Sequence, residues 1–421
     1  MKEASRFYSS LGLLIILNVI IKPAWIFGID RQVQNTVGTV EYGHYFSLLN
    51  LSVVLSFLLD WGLTTFFNRH LASEKEKFVD KIGGFLVVKL LFIITYAAIM
   101  TLFAVATGIT RWDILRGVIL IQSLTFLFVF LRTIVTAEQW FRTEAFLSVM
   151  DKSLMILFCG SMLFFPVVFG AISIHWFLRF QVISTALAVI TTLFILYKRG
   201  VTFAFGTFRS VWNKQLFFAA LPYAILLLLT SAHFRLDGFL LERIYPGGAN
   251  EAGIYAASYR LLDAANMIGV LFASFVLPYV ARRWSSGTEI NSVVLNIRHL
   301  LLCIAVAVAT GTVFMAPWIH QLLYKHADPH SISVMQWCLP ALIGYSLVSV
   351  YGTVITATGH IYAFCRITGL AVIINVVLNL FLIPVYGAKG CCIAALISQS
   401  CCGIGTMVYA KSKLSLNLHL R

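Results

Sequence analysis

Charged residues are scarce in this sequence. Asp, Glu, Lys and Arg together make up 11% of its 421 residues, whereas 60% of the residues are hydrophobic. Soluble globular chains are typically about 25% charged and about 45–50% apolar. The shortage of charge therefore excludes a soluble globular protein and indicates an integral membrane protein.

Long polar segments are also missing. The chain is a series of apolar runs of about 20 residues, and each run is long enough to cross a hydrocarbon core of about 30 Å. Backbone polar groups in lipid must be satisfied within their own segment, so these runs are helices. We predict an all-α polytopic membrane protein with twelve transmembrane helices. The predicted spans are residues 8–29, 43–67, 82–107, 113–137, 145–169, 173–197, 215–242, 250–281, 293–318, 331–357, 360–384 and 388–410.

No pattern typical of an enzyme or of a metal site stands out. The loops predicted on the outer side are all short, and no nucleophile–base set or carboxylate pair has a spacing suited to catalysis. The cysteine pairs at 391–392 and 401–402 lack a paired histidine and fit small packing residues in a membrane helix. His326 and His330 have ligand-like spacing, but Pro329 lies between them in a loop. We predict no enzyme activity, no metal site and no cofactor.

Acidic residues are too few to balance the basic ones. The chain has 17 Asp and Glu against 31 Lys and Arg, which gives a formal net charge of +14 at pH 7. If both termini are cytoplasmic, most of the Lys and Arg fall in cytoplasmic loops and span ends, as membrane topology favours. Because topology accounts for most of the positive charge, the charge is not evidence for binding nucleic acid. We predict a multi-pass protein with both termini in the cytoplasm.

The two halves of the chain share a repeated pattern. The motif Glu-x-Gly-x-Tyr occurs at residues 41–45 and again at residues 251–255, and Lys89 in the first half corresponds to Arg298 in the second. Ordered matches of this kind indicate an old duplication. Since each half contains an even number of spans, both halves enter the membrane in the same direction.

The duplication predicts two six-helix bundles around a central cavity. We predict an N-terminal bundle at residues 1–197, a cytoplasmic linker at 198–214 and a C-terminal bundle at 215–421. Two parallel repeats that rock against each other provide alternating access to a central site. The repeat therefore favours a transporter before any family is considered.

Several basic residues lie inside predicted spans, where topology does not explain them. Lys22 lies about seven residues before the outer end of the first span, and Arg235 lies about as far before the outer end of the seventh. Arg260 lies about ten residues after the outer start of the eighth span, so all three fall about 10–15 Å below the outer surface. Arg179 in the sixth span is a fourth candidate at a similar depth. A cation facing lipid costs several kcal/mol, so we predict that these side chains line a cavity that suits a pyrophosphate.

Internal ion pairing is the alternative role for these bases. Arg260 and Asp263 are three residues apart and share a helix face, whereas Arg235 and Asp237 do not. The acids inside or beside the spans are candidates for such ion pairs or for H⁺ or Na⁺ coupling: Asp60, Asp237, Glu251 and Asp263.

Other residues inside the spans have two open interpretations each. Asp60, near the cytoplasmic end of the second span, can carry a coupling proton or cap a neighbouring helix. Lys89 and Arg298 lie one or two turns inside their cytoplasmic ends, where they can snorkel or receive an anionic head group from the inner leaflet. Pro23 and Pro222 are hinge candidates, although a static kink fits them equally well.

Several segments together resemble one family of transporters. They are EYGHYFSLLN, DWGLTTFFNRHLA, RLDGFLLE, EAGIYAASYRLLDA and NVVLNLFLIPVYGAKGCCIAALISQS, spread in the expected order over nearly the whole chain. The chain resembles the Wzx-type polysaccharide transporters of the multidrug/oligosaccharidyl-lipid/polysaccharide exporter superfamily. The resemblance implies two six-helix bundles that form a V around a cavity. It also implies a flippase of the bacterial inner membrane for undecaprenyl-pyrophosphate-linked repeat units of O-antigen, capsule or exopolysaccharide.

The resemblance further implies a site and partners. Similar proteins carry basic residues in the cavity, on the first helix and on the early helices of the second bundle. Lys22, Arg235 and Arg260 match that pattern by position, although Lys22 stands where related flippases often have an arginine. The expected partners are the lipid-linked oligosaccharide, membrane lipid, and a polymerase and other proteins of polysaccharide assembly.

Two relatives with the same fold are the alternatives. Lipid II flippases usually have two further helices at the C-terminus, whereas this chain stops at Arg421, soon after the twelfth predicted span. Multidrug antiporters extrude cations, so their cavities need unpaired acids. In the predicted layer of this chain, basic groups at least match the acids in number.

Overall fold

The regular structure of this chain is helical throughout the residues that the structure describes. A computed structural model describes residues 2–64, 81–201, 203, 205–285, 290–325 and 328–414. Within those ranges there is no β-strand. The α-helices are, in chain order, α1 (Lys2–Pro23), α2 (Arg31–Val37), α3 (Thr39–Val54), α4 (Phe57–Asp60), α5 (Ile82–Ala106), α6 (Trp112–Ala137), α7 (Phe141–Phe164), α8 (Pro166–Phe169), α9 (Ile174–Lys198), α10 (Phe208–Val211), α11 (Lys214–Ile244), α12 (Gly248–Ser285), α13 (Asn291–Leu323), α14 (Pro329–Cys338), α15 (Leu342–Ala357), α16 (Ile361–Tyr386) and α17 (Ala388–Lys413).

The membrane-spanning character of the chain is confirmed. Within the described ranges, eleven helical segments are long and apolar enough to cross a membrane, and they correspond to the first predicted span and to the third through twelfth. The protein is therefore an all-α, multi-pass membrane protein, as its composition predicts.

The second predicted span, 43–67, is not one continuous helix. α3 ends at Val54, and the short α4 is followed by Trp61 with φ +47° and Gly62 with φ +71°. A Cβ on Gly62 would come within 2.7 Å of the Ala220 carbonyl oxygen, so only glycine allows this close approach of the backbone. Residues 65–67 of the predicted span lie outside the described residues.

The first helix is longer than predicted. A π-helical segment, Ala24–Asp30, begins directly after Pro23 and leads into α2, so the helical run continues to Val37. The helical run therefore extends eight residues beyond the predicted end at residue 29. Arg31 Nε donates to the Phe27 carbonyl oxygen at 2.9 Å, within the helical run. Lys22 therefore lies about 22 Å along the axis from the end of that run.

The described residues form two compact units. The first unit comprises Met1–Val37 and Leu51–Leu228, and the second comprises Gly38–Asn50 and Leu229–Arg421. The chain passes from one unit to the other inside α3 and inside α11. The predicted linker at 198–214 lies wholly within the first unit, so the compact units and the predicted repeats divide the chain differently.

Aromatic and aliphatic residues of several helices form the core of the first unit. Phe85 of α5 and Phe130 of α6 are buried among these side chains, and the core also includes Val211 of α10. A Cβ on Gly84 would lie 2.9 Å from the Thr207 backbone, so the end of the predicted linker packs closely against α5. The segment is thus part of the folded core of this unit.

The repeated Glu-x-Gly-x-Tyr segments pack against each other in the second unit. A Cβ on Gly43 of α3 would lie 1.8 Å from the Ala249 carbonyl oxygen, and a Cβ on Gly253 of α12 would lie 2.1 Å from the Thr39 carbonyl oxygen. Thr39 Oγ1 also donates to Asn250 Oδ1 at 2.5 Å. Each glycine makes room for the backbone that precedes the other copy, as small residues do where membrane helices touch.

Candidate functional site

Arg260 is buried in the second unit. It lies in α12, about 18 Å along the axis from Gly248, and its side chain is only 6% exposed. Its Nη1 donates to the Tyr324 hydroxyl at 2.9 Å, and its guanidinium carbon lies 5.0 Å from the centroid of the Tyr42 ring. The Tyr324 hydroxyl in turn donates to the Ala257 carbonyl oxygen at 3.0 Å. Two tyrosines that sequence reasoning missed therefore hold this cation in place.

Arg235, in the same unit, is more accessible than Arg260. It lies in α11, about 14 Å along the axis from Ile244, and its side chain is 28% exposed. Its Nη2 lies 2.8 Å from Asp263 Oδ2, and its guanidinium carbon lies 5.0 Å from the Tyr259 ring centroid. Asp263 of α12, which was considered as a partner of Arg260, thus forms an ion pair with Arg235 of α11.

The two arginines differ in what they can offer a ligand. Arg235 has an exposed edge and a carboxylate partner, so an anion that binds it competes with Asp263. Arg260 is more deeply buried, and the Tyr42 ring contributes a cation–π contact to it. Guanidinium groups bind phosphate oxygens through paired N–H donors, so this pair has the chemistry for an anionic ligand.

Asp237 is the centre of a buried polar network. Its side chain is 2% exposed, accepts a hydrogen bond from Asn379 Nδ2 at 2.7 Å and another from the Tyr255 hydroxyl at 3.4 Å. Asn379 Nδ2 also donates to Asn375 Oδ1 at 3.1 Å, and Asn375 Nδ2 donates to Ser398 Oγ at 3.3 Å. Among the described residues, no Lys or Arg pairs with Asp237, and Asn379 Oδ1 has no hydrogen-bond partner. The network is rich in oxygen atoms and carries one uncompensated carboxylate.

The Glu251 carboxylate makes contacts that hold helices together. Its Oε2 accepts a hydrogen bond of 2.8 Å from the Ala388 backbone N–H, the first of α17, and both carboxylate oxygens lie 3.1 Å from His330 Nε2. A carboxylate at this place satisfies the free N–H groups and the dipole at a helix N-terminus. The residue therefore ties α12 to α14 and α17.

Lys22 lies among other charges in the first unit. It is half-buried in the last turn of α1, and its electrostatic neighbours are Arg132, Asp151 and Lys152. Lys152 Nζ lies 3.1 Å from Asp151 Oδ2 and 5.5 Å from the centroid of the Trp25 ring. The first unit thus has its own group of basic side chains around α1.

Lys152 lies inside a membrane-spanning helix, at a position that sequence analysis did not single out. α7 runs from Phe141 to Phe164, so Lys152 lies in the middle of the helix. The helix begins four residues before the predicted span 145–169. The consecutive pair Asp151–Lys152 inside an apolar run was the available signal.

Arg179 and the proline candidates have simpler surroundings. Arg179 is exposed near the start of α9, where its guanidinium carbon lies 5.0 Å from the Trp176 ring centroid. No ion pair joins it to another described residue. Pro23 ends α1 directly before the π-helical segment, and Pro222 lies within α11, which continues past it. Irregular turns of this kind occur at functional sites, and hinge motion at either proline stays a prediction.

Asp60 forms a buried ion pair that links α4 to α5. Its Oδ1 contacts Lys89 Nζ, and the two side chains are 5% and 2% exposed. Thr64 donates its backbone N–H to Asp60 at 3.2 Å, and Lys89 Nζ donates to Thr64 Oγ1 at 2.9 Å. Lys89 therefore points into the protein and does not extend toward the membrane surface.

The overall fold is that of membrane transporters of one superfamily. The chain is similar to a structure titled "Lipid II flippase MurJ, inward closed conformation", with a TM-score of 0.73 and 14% identity over 94% of this chain and 88% of that one. It is similar to an inward-facing multidrug resistance MATE family transporter of the MOP superfamily, with a TM-score of 0.70 and 14% identity over 97% and 98% of the two chains. A third similar structure is the Vibrio cholerae MATE transporter VcmN in its bent form, at TM-score 0.65 and 15% identity over 99% and 98%.

A family model narrows this class. The model described as "Polysaccharide biosynthesis protein" matches residues 13–284. The chain therefore belongs to the polysaccharide biosynthesis protein family. No curated protein sequence matches the chain. Family and fold together are those of a membrane transporter.

Proposed function

We propose that this protein is a flippase for undecaprenyl-pyrophosphate-linked oligosaccharide repeat units in the bacterial inner membrane. Its family supports the substrate class, and its fold supports transport across a membrane. The observation that carries the proposal is Arg260, a 6%-exposed cation inside an apolar helix, close to a second arginine of its unit. Cations this deep are costly unless they serve a ligand pathway or an ion pair.

The proposed mechanism uses these cations to carry the pyrophosphate. The pyrophosphate and its sugars enter the protein, while the prenyl tail stays in lipid. Arg235 and Arg260 exchange their present partners for phosphate oxygens, with Lys22 and Arg179 as further candidate contacts. Bidentate guanidinium contacts offset the desolvation of the phosphates. Alternating access then releases the substrate on the outer side.

The coupling ion is proposed to bind at Asp237. This carboxylate is 2% exposed and has no cationic partner among the described residues, and it accepts a hydrogen bond from the Asn379 amide nitrogen at 2.7 Å. Buried acids inside membrane helices act in proton and ion pathways. A proton or Na⁺ at this carboxylate would remove the uncompensated charge. By contrast, Asp60 and Asp263 already have basic partners, and Glu251 caps a helix.

The proposal includes a location and an orientation. Both termini lie in the cytoplasm, because that arrangement places most of the basic loop residues inside. On this orientation the repeat unit moves outward, where a polymerase and other assembly proteins take it over. The protein acts by binding and movement alone, without bond chemistry.

The two alternatives use the same fold on other substrates. A multidrug antiporter needs an acid that meets a cationic drug, and Asp237 is the described acid nearest to that requirement. A lipid II flippase would use the same two arginines on a different glycan. The arginines favour a pyrophosphate lipid over a cationic drug.

The test measures exposure of the lipid-linked oligosaccharide on the outer face. In a strain that lacks the gene, spheroplasts treated with a glycan-cleaving enzyme should show uncleaved oligosaccharide, and the wild-type gene should restore cleavage. The Arg116→Gln variant, which alters an exposed arginine, should restore it equally. Cleavage that is unchanged by deletion would overturn the proposal. Restored drug efflux or restored peptidoglycan synthesis alone would assign one of the alternatives.

A further inference from the structure

Two corresponding positions of the repeat have different surroundings. Lys89 of the first half forms a buried ion pair with Asp60. Arg298 of the second half is also buried, at 7% exposure, but no carboxylate pairs with it among the described residues. Its Nη1 donates to the Tyr351 hydroxyl at 3.5 Å, its Nη2 contacts His299 Nε2, and its Nε has no hydrogen-bond partner in the part of the chain that the structure describes. A buried cation with an unused donor requires a counter-charge.

An apolar groove on α13 starts one turn beyond this arginine. The groove has a volume of about 540 Å³ and is lined by Leu302, Cys303, Val306, Ala307, Thr310 and Gly311. These residues form two rows with a spacing of four, so they lie along one side of the helix. Arg298 precedes Leu302 by four residues, and His299 precedes Cys303 by four residues. From residue 302 to residue 311 the groove is about 14 Å long.

We propose that this place binds an anionic phospholipid of the inner leaflet. The phosphate lies against Arg298 and the exposed ring of His299. One acyl chain lies along the groove. The choice of occupant follows from the charge, because the groove lining is apolar and the Arg298 guanidinium near its start is cationic. The site lies near the start of α13, which is the cytoplasmic end on the orientation proposed above. The assignment does not depend on which substrate the protein transports.

Binding is measured directly on the purified full-length protein in detergent. Native mass spectrometry with added dioleoyl phosphatidylglycerol should show one tightly retained lipid, whereas dioleoyl phosphatidylcholine, with the same acyl chains, should be retained at least about tenfold less. Inorganic phosphate at the same concentration should neither be retained nor displace the lipid. Retention of free phosphate would assign an ion site without a lipid.

Three variants separate the head-group contact from the groove. Arg298→Gln should weaken phosphatidylglycerol retention about tenfold, because it removes a charge-assisted hydrogen bond. Arg298→Lys should keep part of it. Gly311→Leu fills the groove at a position where a new Cβ meets nothing within 4 Å, and it should weaken retention of phosphatidylglycerol while leaving the arginine in place.

The controls are matched to these changes. Gly12→Leu also adds a side chain where a Cβ meets nothing within 4 Å, and Arg116→Gln removes an exposed arginine from another helix. Both should retain phosphatidylglycerol like the wild type. Equal retention of the two lipids by the wild type would overturn the proposal. So would full retention by Arg298→Gln, or by Arg298→Lys together with Gly311→Leu if the glutamine variant does not fold.

Discussion

In the first copy of the repeated segment, Gly43 lies against the backbone at Ala249, and in the second copy Gly253 lies against the backbone at Thr39. The contact is reciprocal, so the repeated glycines have one shared structural role. Seven and ten residues further into α3 and α12 the copies differ. Asn50 stands where the second copy has Arg260, and Val53 stands where it has Asp263.

The comparison distinguishes residues that serve helix packing from residues that serve function. A helix contact restricts both copies to glycine, because any side chain there meets a carbonyl oxygen. The charges came under no such restriction, and only the second copy has them. A residue that both copies share therefore points to packing, whereas a charge in one copy points to function. The corresponding residues Lys89 and Arg298 differ in a similar way. Asp60 neutralises Lys89, whereas no carboxylate among the described residues pairs with Arg298.

The largest expected effect comes from the shared glycines. Gly43→Leu or Gly253→Leu places a side chain inside a backbone contact that cannot widen, and we expect a loss of about 5 kcal/mol or more in the free energy of unfolding. The measurement is the yield and thermal unfolding of the monodisperse protein in detergent. Gly12→Leu, at an open position, should behave like the wild type. Normal stability of either glycine variant would contradict the reciprocal contact.

The next largest effect is expected for Lys89, which Asp60 neutralises, unlike the corresponding Arg298. Asp60→Asn leaves Lys89 buried without its counter-ion, and it should lower the free energy of unfolding by about 3–5 kcal/mol. The double change Asp60→Asn with Lys89→Met should recover most of that loss, because no charge remains buried. Asp113→Asn breaks a partly exposed ion pair with Arg111 and should cost less than about 1 kcal/mol. If the double variant is no more stable than Asp60→Asn, the ion pair is not the reason for the loss.

The charge present in only one copy should govern transport. Arg260→Gln should reduce oligosaccharide export about 10–100-fold, which corresponds to one charge-assisted contact to phosphate, without lowering the amount of folded protein. Arg260→Lys should fall between the glutamine variant and the wild type, since lysine keeps the charge but loses the planar donor fork. Export is measured as outer-face cleavage of the oligosaccharide. Arg116→Gln is the matched control, and equal export by Arg260→Gln and this control would rule out the role.

The smallest effect is expected for Glu251, an acid that both copies of the repeated motif contain. Glu251→Ala removes the cap of α17 and the contact to His330, and we expect a loss of about 1–2 kcal/mol in the free energy of unfolding. Export per folded molecule should stay near the wild-type level. A large loss of export at unchanged stability would show instead that Glu251 carries the coupling ion, and the assignment to Asp237 would then need revision.

Composition and apolar run length were enough to predict the helical membrane fold. Eleven of the twelve predicted spans reappear as helices that can cross a membrane. The failures occur where a charge lies inside a helix. The first span was predicted to end at residue 29, yet the helical run continues past Asp30 and Arg31 through a π-helical segment to Val37. A local pattern does not reveal whether a helix continues past a charge, because the answer depends on what lies beside it.

The partners of the site residues were beyond the sequence for a related reason. Pairing with Asp263 on its own helix was one of two roles considered for Arg260, and the ion pair that Asp263 forms is with Arg235 of α11. Asp60 and Lys89 form an ion pair although they are 29 residues apart in the chain. Spacing along one helix predicts which residues share a face, whereas contacts between helices depend on crossing geometry. The sequence could place the cations inside apolar helices, but it could not predict their pairing.

Flipping by the purified protein tests the central claim most directly. The protein is reconstituted into vesicles with undecaprenyl-pyrophosphate-linked oligosaccharide, and a membrane-impermeant glycan-cleaving enzyme reports how much substrate reaches the outer leaflet. With the wild type, cleavage should proceed beyond the initially exposed half. With Arg260→Gln, it should stop near that half. Equal cleavage in wild-type and protein-free vesicles would contradict the account.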